Sequence, residues 1–99
     1  MERKRYIQIY QNKIKMNICF LIGKIISEID FKFIINNKKY ISIAIFKLEV
    51  NESCIVTIKA YNELADYCYS KLIKNDKISV LGNIDSDGKV EITDIEIYE

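Results

Sequence analysis

The chain has no histidine, no tryptophan and no proline among its 99 residues, and only three glycines. Without histidine it lacks the usual neutral general base and the commonest metal-ligating side chain, which excludes a catalytic triad of the serine type and a zinc hydrolase centre. Ser27, Ser42, Ser53 and Ser70 therefore have no imidazole partner, and the acidic residues show no paired spacing on one rigid face. A non-enzymatic protein without cofactor or metal is expected. The three cysteines, Cys19, Cys54 and Cys68, form no Cys-x-x-Cys pair and leave an odd number, so core thiols are expected. No apolar run reaches the roughly 18 residues of a membrane helix. The basic amino terminus is not followed by an apolar core and a small-residue cleavage site, so a cytoplasmic protein is expected.

What is present points to strands. Hydrophobic residues make up 49% of the chain, and β-branched and aromatic side chains dominate them, enough for one domain with a modest core. A domain this small gains from association, so an oligomer is expected. The net charge of +1 conceals an asymmetry: residues 1–50 carry ten Lys or Arg against four acids, residues 51–99 five against ten. A fold that separates the halves has a basic side and an acidic one.

The stretch Cys54–Ile84 organises the rest. Cys54, Val56, Ile58 and Ala60 alternate with Ile55, Thr57, Lys59 and Tyr61, which predicts a strand. At Asn62 the period changes. Asn62 suits a helix cap, and Leu64, Cys68 and Leu72 lie four apart, so a helix is expected over 62–72. Asn75-Asp76 makes a turn, and 77–84 resumes as a strand.

Before this stretch, 17–29 is nearly all apolar and reads as a long strand covered on both sides over part of its length, with Gly23 a candidate bend at a barrel corner. Residues 31–35 form a further strand or its bent continuation. Asn36-Asn37-Lys38-Lys39 is a hairpin turn. In the next strand Ile41, Ile43 and Ile45 are expected to face the core, and Tyr40, Ser42, Ala44 and Phe46 the outside. The last hairpin turns at Asp85–Lys89. Asp85-Ser86-Asp87-Gly88 looks like the start of a calcium loop, but strands flank it where an EF-hand needs helices, so it reads as an acidic turn. In 90–98 the apolar phase slips between Ile92 and Ile95, which a bulge near Thr93-Asp94 repairs. Residues 1–15 form a basic extension. Tyr6, Gln8 and Tyr10 alternating with Ile7 and Ile9 suit a strand that extends the sheet or pairs with a second subunit, whereas Ile7, Tyr10 and Ile14 would suit a helical stripe. The charges suit a backbone-contacting arm or a solubilising terminus. The fold class expected is mainly all-β, a five-stranded antiparallel barrel with one short helix between strands 3 and 4, with another α+β arrangement as the alternative that the pattern alone leaves open.

From Met16 onward the chain resembles the oligonucleotide-binding (OB-fold) domain of bacterial single-stranded DNA-binding proteins. The opening Met16-Asn17, the apolar strand 18–22, and Gly23-Lys24 match the start of that family. Tyr61-Asn62-Glu63-Leu64-Ala65-Asp66 matches its strand-end aromatic and helix start, and Leu81-Gly82-Asn83-Ile84 a later strand. The likeness covers residues 16–99, treated as the OB-fold domain. It implies single-stranded DNA as partner, a homodimer or homotetramer, and a base-stacking role for Tyr61. The chain departs from the family at several points. Its tryptophans are missing, one of them falling near Ile55 here. The long basic last hairpin is reduced to Asp85–Lys89, and no acidic, glycine-rich partner-recruiting tail precedes the end at Glu99.

Sequence-tolerant single-strand binding needs cations for phosphates and flat rings for bases. Lys59 and Tyr61, two apart, are expected on one face. Tyr40 and Phe46 offer further rings on the neighbouring strand, and Lys24, Lys32, Lys38 and Lys39 are candidate phosphate contacts. The alternative is a barrel serving protein assembly without nucleic-acid binding.

Overall fold

The protein is described by a computed structural model over residues 17–98, so the basic extension 1–15 lies outside the described residues. Six strand segments and one helix follow in order: β1 (Cys19–Ile25), β2 (Asp30–Asn36), β3 (Lys39–Asn51), β4 (Cys54–Tyr61), α1 (Asn62–Lys71), β5 (Lys77–Ile84) and β6 (Val90–Tyr98).

β1 and β2 are two halves of one bent barrel strand. β1 runs antiparallel to β5 from Cys19↔Gly82 to Lys24↔Lys77, and at Lys24 and Ile25 it also crosses onto β3 at Glu49 and Leu48. Gly23 permits that crossing, because a Cβ there would collide with the Glu49 carbonyl. After the bend, in which Ile26 N–H donates to Lys47 O (3.0 Å) and Lys47 N–H to Ser27 Oγ (2.8 Å), β2 continues along β3.

The ring closes as β1–β5–β6–β4–β3–β1, five barrel strands with the helix after the third when β1 and β2 are counted as one. All pairings are antiparallel except the closing contact, where Ile58↔Val90 and Lys59↔Glu91 run parallel. The expected barrel is the observed one.

Local devices shape the barrel. The β2–β3 hairpin turns through Asn37 (φ 52°) and Lys38 (φ 65°), the two left-handed residues of a type I′ turn. Between Leu81↔Asp94 and Gly82↔Ile92 the register skips Thr93, the bulge that the apolar phase of β6 requires. Asn17 extends the β1–β5 ladder with its side chain, donating to Ile84 O (2.6 Å) and accepting from Ile84 N–H (2.9 Å).

The core is built from Ile25, Phe46, Leu48, Ile58, Ile78 and Val80, closed at one end by Ala65 and Cys68 of α1. Four readings are corrected. The inward face of β3 is Ala44–Phe46–Leu48, not the isoleucine row: the helix covers the side with the small Ala44 and Ser42, and Ile41 and Ile45 remain half-exposed. Phe20 and Ile22 of β1 are exposed, so that strand is covered on one side only, and Cys54 is likewise exposed while Cys68 is buried. Asn62 does not cap the helix. Tyr61 occupies the N-cap without a side-chain bond, and Asn62 is left-handed (φ 56°). Ser42 Oγ on β3 instead meets Asn62 O (3.2 Å) and Asp66 Oδ1 (3.0 Å), tying the first turn of α1 to the sheet.

Candidate nucleic-acid interface

Strand register builds the site. Ile43 of β3 lies opposite Tyr61 on one side and Lys32 on the other, and Ile45 lies opposite Lys59 and Asp30. Residues opposed across a ladder project from the same side of the sheet. One outward surface over β2, β3 and β4 therefore carries Tyr61, Lys59 and Lys32. By the two-residue period of β3 it also carries Lys39 and Lys47. Ile43, between Tyr61 and Lys32, is buried yet stands apart from the core cluster.

Tyr61 is half-buried at the point where β4 gives way to α1. Its backbone is extended (φ −125°, ψ 150°), so the residue is carried by the end of a strand rather than by a loop.

Lys59 behaves differently from the expectation. Its Nζ lies 2.7 Å from Asp85 Oδ2, with the two side chains only 15% and 20% exposed. The bond to Asp85 raises the lysine pKa above its ordinary value, with a smaller raising contribution from Tyr61 beside it. The Asp85 carboxyl is held below the ordinary carboxylate value, first by Lys59 and then by backbone N–H groups. Those are Asp87 N–H (2.8 Å) and Lys89 N–H (3.0 Å), both donating to Oδ1. Asp30 and Glu91 lie in the same row. Lys59 is thus a neutralised strut, and the acid-free end of the surface is the one with Tyr61, Lys32 and Lys39.

The other expected residues divide. Lys38 stands in the hairpin turn beside Lys39, exposed. Tyr40 is 76% exposed but points to the reverse side of the hairpin, with Phe33 and Ile35, away from Tyr61. Phe46 is 1% exposed in the core and has no face to offer a base. Lys24 is outward but opposite Glu49 and Lys77, about 20 Å along the barrel from Ile43 at roughly 3.3 Å per residue. Among the described residues the one ion pair is Lys59–Asp85, so Lys32, Lys38 and Lys39 have no carboxylate partner.

Lys47 was not expected. It shares the outward parity of β3 with Ile43 and Ile45, and its Nζ donates to Thr57 Oγ1 (2.9 Å). The signal for it is parity with Ile43, which counts only once Ile43 is known to oppose Tyr61.

Three comparisons place the fold. No family model and no curated protein matches the chain. The barrel is similar to the crystal structure of wild-type single-stranded DNA-binding protein from Thermus aquaticus, with TM-score 0.74 and 24% identity over 85% of this chain and 41% of that one. A deletion mutant of the same protein gives TM-score 0.73 at 24% identity over 85% and 42%. The SSB domain of a protein from Synechococcus sp. gives 0.67 at 13% identity over 84% of this chain and 97% of that domain. The chain thus spans less than half the Thermus protein. At these identities the likeness is one of fold, an OB-fold barrel of the kind found in bacterial single-stranded DNA-binding proteins.

Proposed function

We propose that the protein binds single-stranded DNA in a sequence-tolerant way along the outer surface of β2, β3 and β4. The observation that carries this is the row Tyr61–Ile43–Lys32, with Lys39 further along the same side of β3. A base stacks on the Tyr61 ring over the apolar Ile43, while the Lys32 and Lys39 ammonium groups meet phosphates on either side. Lys38 at the hairpin tip and Lys47 toward β4 extend the cationic track. Lys59 contributes through Asp85 rather than through phosphate, and Tyr40 could stack a base only if the strand turned around the hairpin.

Titration of fluorescent oligo-dT at low and moderate salt tests this reading. Binding that weakens steeply with salt supports it. Absence of binding by the folded protein at low salt overturns it and favours an assembly module. That second reading rests on the exposed apolar side chains of β1 and the hairpin, Phe20, Ile22, Phe33 and Ile35. They also underlie a homodimer or homotetramer, tested by sedimentation, in which more than an 11.6 kDa species is expected. A cytoplasmic role in replication, recombination or mobile-element maintenance fits such a binder.

A further inference from the structure

β6 pairs with β5 along its length but with β4 only at Val90 and Glu91. From Ile92 to Tyr98 its other edge has no strand partner among the described residues. An uncovered edge presents a row of backbone N–H and C=O groups that accept an added strand. Beside this edge lies a depression of about 420 Å³, lined by Glu63, Leu64 and Tyr67 of α1 and by Asp94 and Ile95 of β6. It adjoins a second depression through Asp94 and Ile95, which Glu96 also lines. The lining is apolar at its centre, with half-buried Leu64 and Ile95, and acidic at its rim, where Glu63, Asp94 and Glu96 are exposed. The acidic half of the sequence has become an acidic gap with a strand edge as one wall.

The geometry points to one occupant: the chain's own residues 6–10, Tyr-Ile-Gln-Ile-Tyr, added in cis as a strand on the free edge of β6. Three observations converge on this segment. Its alternation is that of a strand, and its five residues fit the seven-residue edge from Ile92 to Tyr98. Its flanks are basic, with Arg3, Lys4 and Arg5 before it and Lys13 and Lys15 after, complementing the acidic rim. Its tether reaches the start of that edge: Asn17 is fixed at Ile84, the end of β5 next to Val90, and the six residues 11–16 span about 20 Å when extended. Backbone pairing supplies the affinity, and the charges select this segment over a neutral strand. The basic arm is then held on the acidic side of the barrel, away from the Tyr61 surface.

The test is the rate of trypsin cleavage after Arg5 and Lys13 in the full chain, without nucleic acid. Docking slows cleavage. Glu63→Gln/Asp94→Asn/Glu96→Gln, which adds no tryptic site, should speed it on the order of tenfold, as loss of a few exposed ion pairs does. Molar NaCl should have a similar effect on the parent. Gln8→Pro and Ile9→Pro, tested separately, probe the ladder, because one of the two N–H groups must point at β6. At least one should release the segment with melting temperature of the barrel otherwise close to the parent's. Equal cleavage rates in parent, neutralised variant and both proline variants overturn the proposal. Protection that rises with protein concentration overturns docking in cis and assigns the edge to a second copy's arm. Since no DNA is present, failure here leaves the Tyr61 reading untouched.

Discussion

Lys59 on β4 and Asp85 at the start of the last hairpin turn are joined Nζ to Oδ2 at 2.7 Å, across the seam where the barrel closes. The same carboxylate orders the turn through its other oxygen, accepting from Asp87 and Lys89 N–H. One side chain therefore shapes the β5–β6 turn, clips it to β4, and cancels the cation nearest Tyr61. The parallel contact at this seam spans two residue pairs, as few as the β1–β3 crossing, so the ion pair reinforces one of the two short joints of the ring.

The pair should show in the pH dependence of stability. Asp85 has its folded pKa below the ordinary 3.8, so its contribution is present above that value and is lost as pH falls through the lower folded pKa. Lys59 has a raised pKa, so its contribution holds below the ordinary 10.5 and is lost as pH rises through the folded value. Thermal melts of parent and Asp85→Asn between acid and neutral pH should differ most near neutrality and converge in strong acid. Curves that stay parallel throughout would remove the pair as a stabilising contact.

Freeing Lys59 should also alter binding. Asp85→Asn keeps an oxygen for the turn N–H groups but releases the ammonium beside Tyr61. The salt slope of oligo-dT binding should steepen by a little under one unit, as for one added phosphate contact. In the parent, Lys59→Ala should leave the slope nearly unchanged, whereas Lys32→Ala and Lys39→Ala should each reduce it.

Tyr61→Ala should weaken oligo-dT binding by about 1–3 kcal/mol at unchanged salt slope, because a stacking ring and no charge is lost. Phe46→Ala should act on folding instead, costing about 3–5 kcal/mol of stability. Melting and titration on the same samples separate the two. A Tyr61→Ala variant that binds as tightly as the parent would remove the ring from the interface.

Gly23→Ala should destabilise the barrel by about 1–3 kcal/mol, since its methyl must displace the Glu49 backbone rather than a flexible side chain. Chemical denaturation measures the loss, and a neutral result would mean that β1 and β3 can separate at their crossing without cost.

Burial pushes the Cys68 thiol up to about 12, so it stays protonated and unreactive at neutral pH. A thiol reagent should label exposed Cys54 quickly and Cys68 only as the chain unfolds. Peptide mass analysis over time reads both rates.

Much of this protein follows from local sequence. Strand periods, the helix after Tyr61, the Asn37-Lys38 turn, the bend at Gly23 and the Thr93 bulge each depend on a few consecutive residues and on backbone sterics, so they can be read along the chain. The face of β3 that enters the core cannot be. Ile41, Ile43 and Ile45 form the bulkier row, yet Ala44 and Phe46 go inside, because the helix packs across that side and leaves room for small residues near its own Ala65. That choice moves Phe46 and Tyr40 away from Tyr61 and brings Lys32 and Lys47 toward it. The pairing of Lys59 with Asp85 lies equally beyond the sequence. The two are 26 positions apart and meet only because β6 returns alongside β4, so a lysine two residues from Tyr61 reads as a free cation until the closed ring supplies its carboxylate.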